Sequence, residues 1–298
     1  MAFFIQTKQS MNHFLPLFFW VFVGLSCTRK ANDNSKPTAV PIKLITHKEA
    51  IDSLRKDTTA PLQPLKITEL SGETATAFFT DNDLSPLLFD ASPEGGYSNR
   101  FDGFYGDDHH RIEFYFSEVK RDSIQSNVYH VAGKDRFKKN ITPFTGTITF
   151  TKLATFSDPN LNDELYQYEA FELKEAYISE AIFELKENAL TKGSGIFSGK
   201  MLMDFYKNQG GEIALWYFSA NTPAQASGFK FEGTWSNYKN TLTKPVVWAR
   251  DLFAFANNIL TDFSIGEREV EVNKKYRHLG WDNYWENDEW WHDGPAIQ

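Results

Sequence analysis

The chain has 298 residues, 41% of them hydrophobic and 16% aromatic, with 27 Phe, 8 Trp and a single Cys, and a net charge of −8. That aromatic content supports a substantial core, which excludes a disordered chain, and one Cys excludes an internal disulfide framework. The acidic balance argues against nucleic-acid or anionic-membrane binding, because both need basic surface.

The first element is an apolar run, FLPLFFWVFVGL (14–25), preceded by Lys8 and His13. A spanning helix needs about 20 apolar residues, so the run is too short to cross a bilayer and fits the hydrophobic region of a secretory signal. Met11 offers a second start besides Met1. The run ends at Gly24-Leu25-Ser26-Cys27, and the chain turns polar directly afterwards.

This arrangement resembles the lipobox of bacterial lipoproteins, although Gly24 stands where that pattern usually has Leu and Leu25 follows it. The resemblance implies a signal peptide over residues 1–26 and a palmitate-type lipid on Cys27. The mature chain would then be anchored to a bacterial membrane, the outer one by preference, facing the periplasm or the cell surface. No cofactor is expected beyond that covalent lipid.

Residues 27–65 read as the lipidated Cys and a flexible tether, with Pro37, Pro41, Pro61 and Pro64 among Ser, Thr and Asn. One short helix is expected within it, where Thr46 and Glu49 fit a capping box.

From residue 66 to about 240 the pattern is β. RIEFYFSEV (111–119) alternates Ile112, Phe114 and Phe116 with polar neighbours, and similar runs follow at 144–153, 195–206, 212–220 and 228–238. Asn208-Gln-Gly-Gly211 reads as a hairpin turn, while Asn99 and Gly133 punctuate other runs. The stretch 164–187 carries helix-forming residues but runs at period two, so it is read as two strands meeting near Tyr177–Ser179. Phe-x-Gly recurs at FDGFY (101–105), FTGTI (144–148), FSGKM (197–201) and FEGTW (231–235), as expected of strongly coiled strands.

These signals predict an all-β fold: an antiparallel meander of about eight to ten strands forming a barrel or curled sandwich. FEGTW resembles the Gly-x-Trp strand of calycins, which implies a barrel holding small apolar ligands. In calycins that strand comes first, whereas Gly233 and Trp235 lie late in this chain. More broadly the chain resembles aromatic-rich β-domain lipoproteins of Gram-negative bacteria, a resemblance that implies no particular activity.

Residues 241–298 are read as an aromatic extension packing on the β-domain. KPVVWARDLFAFANNIL (244–260) has helical spacing at Val247, Leu252, Phe255 and Ile259, with an irregular segment as the rival reading. GWDNYWENDEWWHDG (280–294) holds four of the 8 Trp with five carboxylates and no Lys or Arg. Trp and carboxylates could together form a glycan platform, but packing of the Trp side chains on the β-domain is favoured.

Six aromatic residues are candidates for a ligand site: Trp216, Trp235, Tyr238, Trp248, Trp281 and Trp285. No metal is expected, the nearest thing to a ligand set being Asp108 with His110, which would need His130 or Glu113 as well. No pair of carboxylates is singled out as catalytic, and GSGIFSGK (193–200) lacks the spacing of a phosphate loop. KDRFKKN (134–140) reads as a solvated hairpin. The expected function is that of a membrane-anchored envelope lipoprotein with a non-catalytic ligand- or partner-binding β-domain. Its partners would be the membrane, through the lipid, and an unidentified small ligand, glycan or envelope protein, with no nucleic acid. Alternatives are a carbohydrate-acting enzyme or glycan-binding module with an aromatic and carboxylate cleft, and a structural subunit of an envelope assembly.

Overall fold

The computed structural model describes residues 63–92, 97–160, 173–256, 264–265, 270–271, 274–284 and 288–292. The apolar run, Cys27, the expected tether up to residue 62 with its expected short helix, and Trp285 lie outside those residues.

Period-two alternation builds eight long strands: β2 (Arg100–Tyr105), β3 (His110–Arg121), β4 (Val128–Phe137), β5 (Asn140–Ser157), β6 (Leu173–Glu187), β7 (Gly195–Asn208), β9 (Phe229–Asn237) and β10 (Thr243–Ala249). Each pairs antiparallel with the next, and β10 returns to pair with β2 through Trp248↔Gly103 and Val246↔Tyr105. The hydrogen bonds therefore close into a ring, which removes the exposed sheet edges that an open meander would leave. Two short strands join this sheet outside the cycle: β1 (Lys66–Glu69) on the far end of β5, and β8 (Ile213–Leu215) beside β7. The fold is thus the expected all-β antiparallel meander with an irregular C-terminal segment.

Through the middle of the ring inward positions are apolar and many outward ones are charged, as Glu180, Glu184 and Lys186 on β6 illustrate. That is the inverse of a membrane-embedded barrel, whose apolar band faces out. Among the described residues no helix is long and apolar enough to cross a membrane.

The ring's interior is filled rather than hollow at its middle. Trp248, fully buried, lies between Phe114 (centroids 4.1 Å apart, 20° between planes) and Phe231 (4.6 Å, 5°), with Phe183 and Phe197 edge-on. Six of the eight strands meet in this cluster through Phe114, Phe144, Phe183, Phe197, Phe231 and Trp248. The Phe-x-Gly repeat explains how they fit. In each copy Phe and Gly both face inward, and the Gly permits a neighbouring strand to cross closely. A Cβ on Gly146 would lie 1.9 Å from the Glu184 carbonyl oxygen, and Gly199 and Gly233 face each other across β7 and β9, where a Cβ on Gly199 would stand 2.5 Å from the Gly233 Cα. Gly133 belongs to the same set. It sits inside β4 opposite Phe116 rather than at a turn.

One end of the ring is closed by helices that the alternation did not announce: α1 (Gly72–Asp81) and α2 (Ser85–Leu88). Ser71 caps α1 by accepting from the Thr74 N–H. Phe79 packs on Phe150 at 5.3 Å, Phe78 on Tyr177 at 4.8 Å, and the buried Tyr129 hydroxyl accepts from the Leu84 N–H at 3.0 Å.

Two other expectations change. β6 runs unbroken through Tyr177–Ser179, because both its faces are covered there: Tyr177 and Ser179 face into the ring, while Ala176 and Ile178 lie under Trp216 and Phe218. Residues 244–249 form a strand, not a helix. Val246 and Trp248 point into the core at period two, and pairing to β2 and β9 on both sides outweighs the helical spacing; of its later positions Leu252 opens the 3₁₀ turn Leu252–Ala254 and Ile259 lies outside the described residues.

Candidate functional site

The end of the ring opposite α1 is built from four hairpins: β2–β3, β4–β5, β6–β7 and β9–β10. Here the apolar interior gives way to polar groups. Asp135 of β4, Thr142 of β5 and Glu187 of β6 turn inward on adjacent strands, beside Tyr105 of β2 and Trp235 of β9.

Asp135 is 2% exposed and Glu187 6%. Glu187 accepts from the Trp235 indole N–H and from the Gly195 backbone N–H, each at 2.6 Å. Its side chain is also hydrogen-bonded to Thr142 and to Asp135. The Tyr238 hydroxyl donates to the Glu187 backbone carbonyl. Burial, and then the Glu187 charge beside it, push the Asp135 carboxyl well above the ordinary carboxylate range. Burial also raises Glu187, but the Trp235 and Gly195 donors oppose it. Of the two carboxyls, Asp135 is the one pushed further toward its protonated form. Burial and the same two acids raise the Tyr105 phenol. Asp135 Oδ2 has no hydrogen-bond partner among the described residues.

Two carboxyls in direct hydrogen-bond contact are closer than the roughly 5–9.5 Å that glycosidases keep between theirs. No sugar fits between them, so the pair does not supply the cleft that a carbohydrate-acting enzyme requires.

The six aromatic candidates do not converge. Trp235 and Tyr238 meet at Glu187, and Trp248 sits deeper in the ring among phenylalanines with its indole nitrogen unpartnered. Trp216 is outside the ring with Phe156, Ile178 and Phe218, and Trp281 is in a third cluster with Phe104, Leu252 and Tyr276. Trp285 lies outside the described residues.

The metal candidates stay apart as well. Asp108 and His110 pair at 2.9 Å across the β2–β3 hairpin, but His130 pairs with Asp122 near the other end of β4, and Glu113 belongs to an arginine network. No group of three metal-ligating side chains occurs among the described residues.

That network is on the outer face of β2, β3 and β4. Asp102, Glu113 and Arg136 are in register across the three strands, and Arg111 joins Asp102 at 2.8 Å and Glu113 at 2.9 Å. Burial raises the Glu113 carboxyl, and Arg111 opposes that most strongly. The C-terminal aromatic segment roofs these charges. Trp290 donates to Glu113 at 3.2 Å and lies against the Arg136 guanidinium, Trp291 stacks on Tyr115 at 5.1 Å, and Asp288 pairs with Arg136. The described Trp residues of the tail, Trp281, Trp290 and Trp291, thus pack, and Asp288 is spent on Arg136. The sequence pattern gave no hint of this, since Asp102, Arg111, Glu113 and Arg136 are scattered along three strands and become neighbours only through register.

Another buried carboxyl, Asp204 of β7, faces outward beneath residues 216–228. It accepts from the Ala224 N–H at 2.9 Å, its backbone carbonyl accepts from the Trp216 N–H at 2.8 Å, and its Oδ1 is unpartnered. Burial pushes it up to about 7, against hydrogen bonds from Thr222 and Ala224 and the charge of Lys230.

Compared with known proteins, the chain matches no family model, no curated protein and no solved structure.

Proposed function

We propose that the chain is a lipid-anchored protein of a bacterial envelope whose β-ring is a rigid, non-catalytic recognition scaffold, engaging its partner at the surface rather than enclosing a small molecule. The observation that carries this reading is the packed interior: Trp248 and its phenylalanine shell occupy the space in which a calycin-type ligand would sit. The contact between Asp135 and Glu187 weighs against glycosidic chemistry in the same direction. The anchor rests on the apolar run ending at Cys27 and on its lipobox resemblance. One acyl chain gives only marginal membrane binding, so multiple acylation at Cys27 would secure the attachment.

The test is metabolic labelling with radioactive palmitate in a Gram-negative host, comparing wild type with Cys27→Ala. Label in the wild type and its loss in the variant are expected. Equal labelling of both, or none in either, would overturn the anchor.

A further inference from the structure

Net charge hides a local asymmetry. Three neighbouring hairpins at the ring's carboxyl-pair end, 137–143, 188–194 and 238–244, contain Lys138, Lys139, Lys192, Lys239 and Lys244 and not one Asp or Glu. Lys138, Lys139, Lys192 and Lys239 are exposed, and none of the five is ion-paired among the described residues. The same hairpins expose apolar side chains. Seven large ones are exposed among the described residues, and four of them are here: Ile141 at 44%, Leu190 at 94%, Tyr238 at 40% and Leu242 at 46%.

These hairpins form one surface. The Asn188 N–H donates to the Pro143 carbonyl at 2.9 Å, Tyr238 donates to the Glu187 carbonyl, and Gly195 pairs with Asn237 across β7 and β9. Folding gains nothing from leaving Leu190 and Leu242 in water at loop tips flanked by lysines. The fourth hairpin differs: it carries Asp107 and Asp108, with Asp108 engaged by His110.

We infer that this three-hairpin face docks on an anionic lipid surface, with Leu190, Tyr238 and Leu242 entering the interfacial region and the lysines meeting acidic headgroups. Apolar tips ringed by cations match that boundary, where a lysine near the surface is worth roughly fivefold in partition and Tyr is at home. An overall charge of −8 does not oppose it. Screening confines each charge to about 8–10 Å, and the acidic remainder would orient the ring with this end toward the membrane. The anchor reading explains why a bilayer is close by, but the surface argument does not need the lipid.

The test uses the full chain with Cys27→Ser and Leu190→Cys, carrying an environment-sensitive fluorophore at position 190. A second chain carries the label at Ile124→Cys, 90% exposed on the β3–β4 connection at the other end. Because the apolar run at 14–25 partitions into any bilayer, total binding is uninformative and the labels read the two ends separately. With vesicles of phosphatidylglycerol in phosphatidylcholine, the tip label is expected to shift to the blue and the Ile124 label to stay unchanged. Pure phosphatidylcholine, high salt, or the added substitutions Lys138→Glu, Lys139→Glu, Lys192→Glu and Lys239→Glu should each abolish the shift. An unchanged tip label on anionic vesicles overturns the inference and directs the basic tips to an acidic protein partner. Equal shifts at both ends, or on neutral vesicles, overturn it too. Since Cys27 carries no lipid here, such a failure is distinct from a failure of palmitate labelling.

Discussion

Trp248→Ala should lower the unfolding free energy by about 3–5 kcal/mol, the range for removing a large buried aromatic side chain. The loss falls at this size because the indole is stacked on both faces, by Phe114 and Phe231, and met at its edge by Phe183 and Phe197. Those partners belong to β3, β9, β6 and β7, and strands held in a closed hydrogen-bonded ring cannot collapse into the space. Trp248→Phe should cost far less, since it keeps one ring in the stack and removes an indole N–H that finds no acceptor. Urea unfolding followed by circular dichroism checks both. Equal losses for the two variants, or an Ala variant as stable as wild type, would mean that the stack does not hold the ring together.

The second large effect is on pH dependence. Asp135 and Asp204 both keep their protons in the folded protein at pH values where an unfolded chain has lost them. The unfolded state therefore binds fewer protons, and stability falls as pH rises from the ordinary carboxylate range toward the raised values. For Asp204, raised from 3.8 to about 7, the fall is on the order of 2–3 kcal/mol between about pH 5 and about pH 7. Asp135, which faces Glu187 and Tyr105, extends the decline upward. Asp204→Asn and Asp135→Asn mimic the protonated forms, so each variant should match wild type near about pH 5 and exceed it at about pH 8. Urea midpoints across that range provide the measurement. Variants that keep the full wild-type slope, or lose stability at alkaline pH, would contradict the assignment.

The sequence carried the architecture further than the site. Alternating Ile112, Phe114 and Phe116, and the four Phe-x-Gly copies, were legible because strand geometry fixes which residues share a face. The closure of β10 on β2 was not, because Val247, Leu252, Phe255 and Ile259 also fit a helix and pairing partners lie far away in the chain. α1 begins at the Ser71 cap but carries only two large apolar residues, Phe78 and Phe79, against a strongly β background. Asp135 and Glu187 were hidden for a related reason. Each stands in a charged stretch, KDRFKK or FELKE, whose other charged residues lie on the outer face or at the hairpin tip, so only the strand register reveals which one turns inward. The basic end was hidden by averaging: its five lysines come from three hairpins about 50 residues apart in the chain and vanish into a net charge of −8.

The proposed recognition at the surface requires that the ring be filled. Titrating the wild-type protein and Trp248→Ala with benzene, followed by calorimetry, tests this most directly. An apolar cavity opened in a rigid core stays dry and takes up such a probe. The account predicts no saturable uptake by wild type and one-to-one binding by the alanine variant. Saturable one-to-one binding by wild type, with quenching of its tryptophan fluorescence, would contradict it.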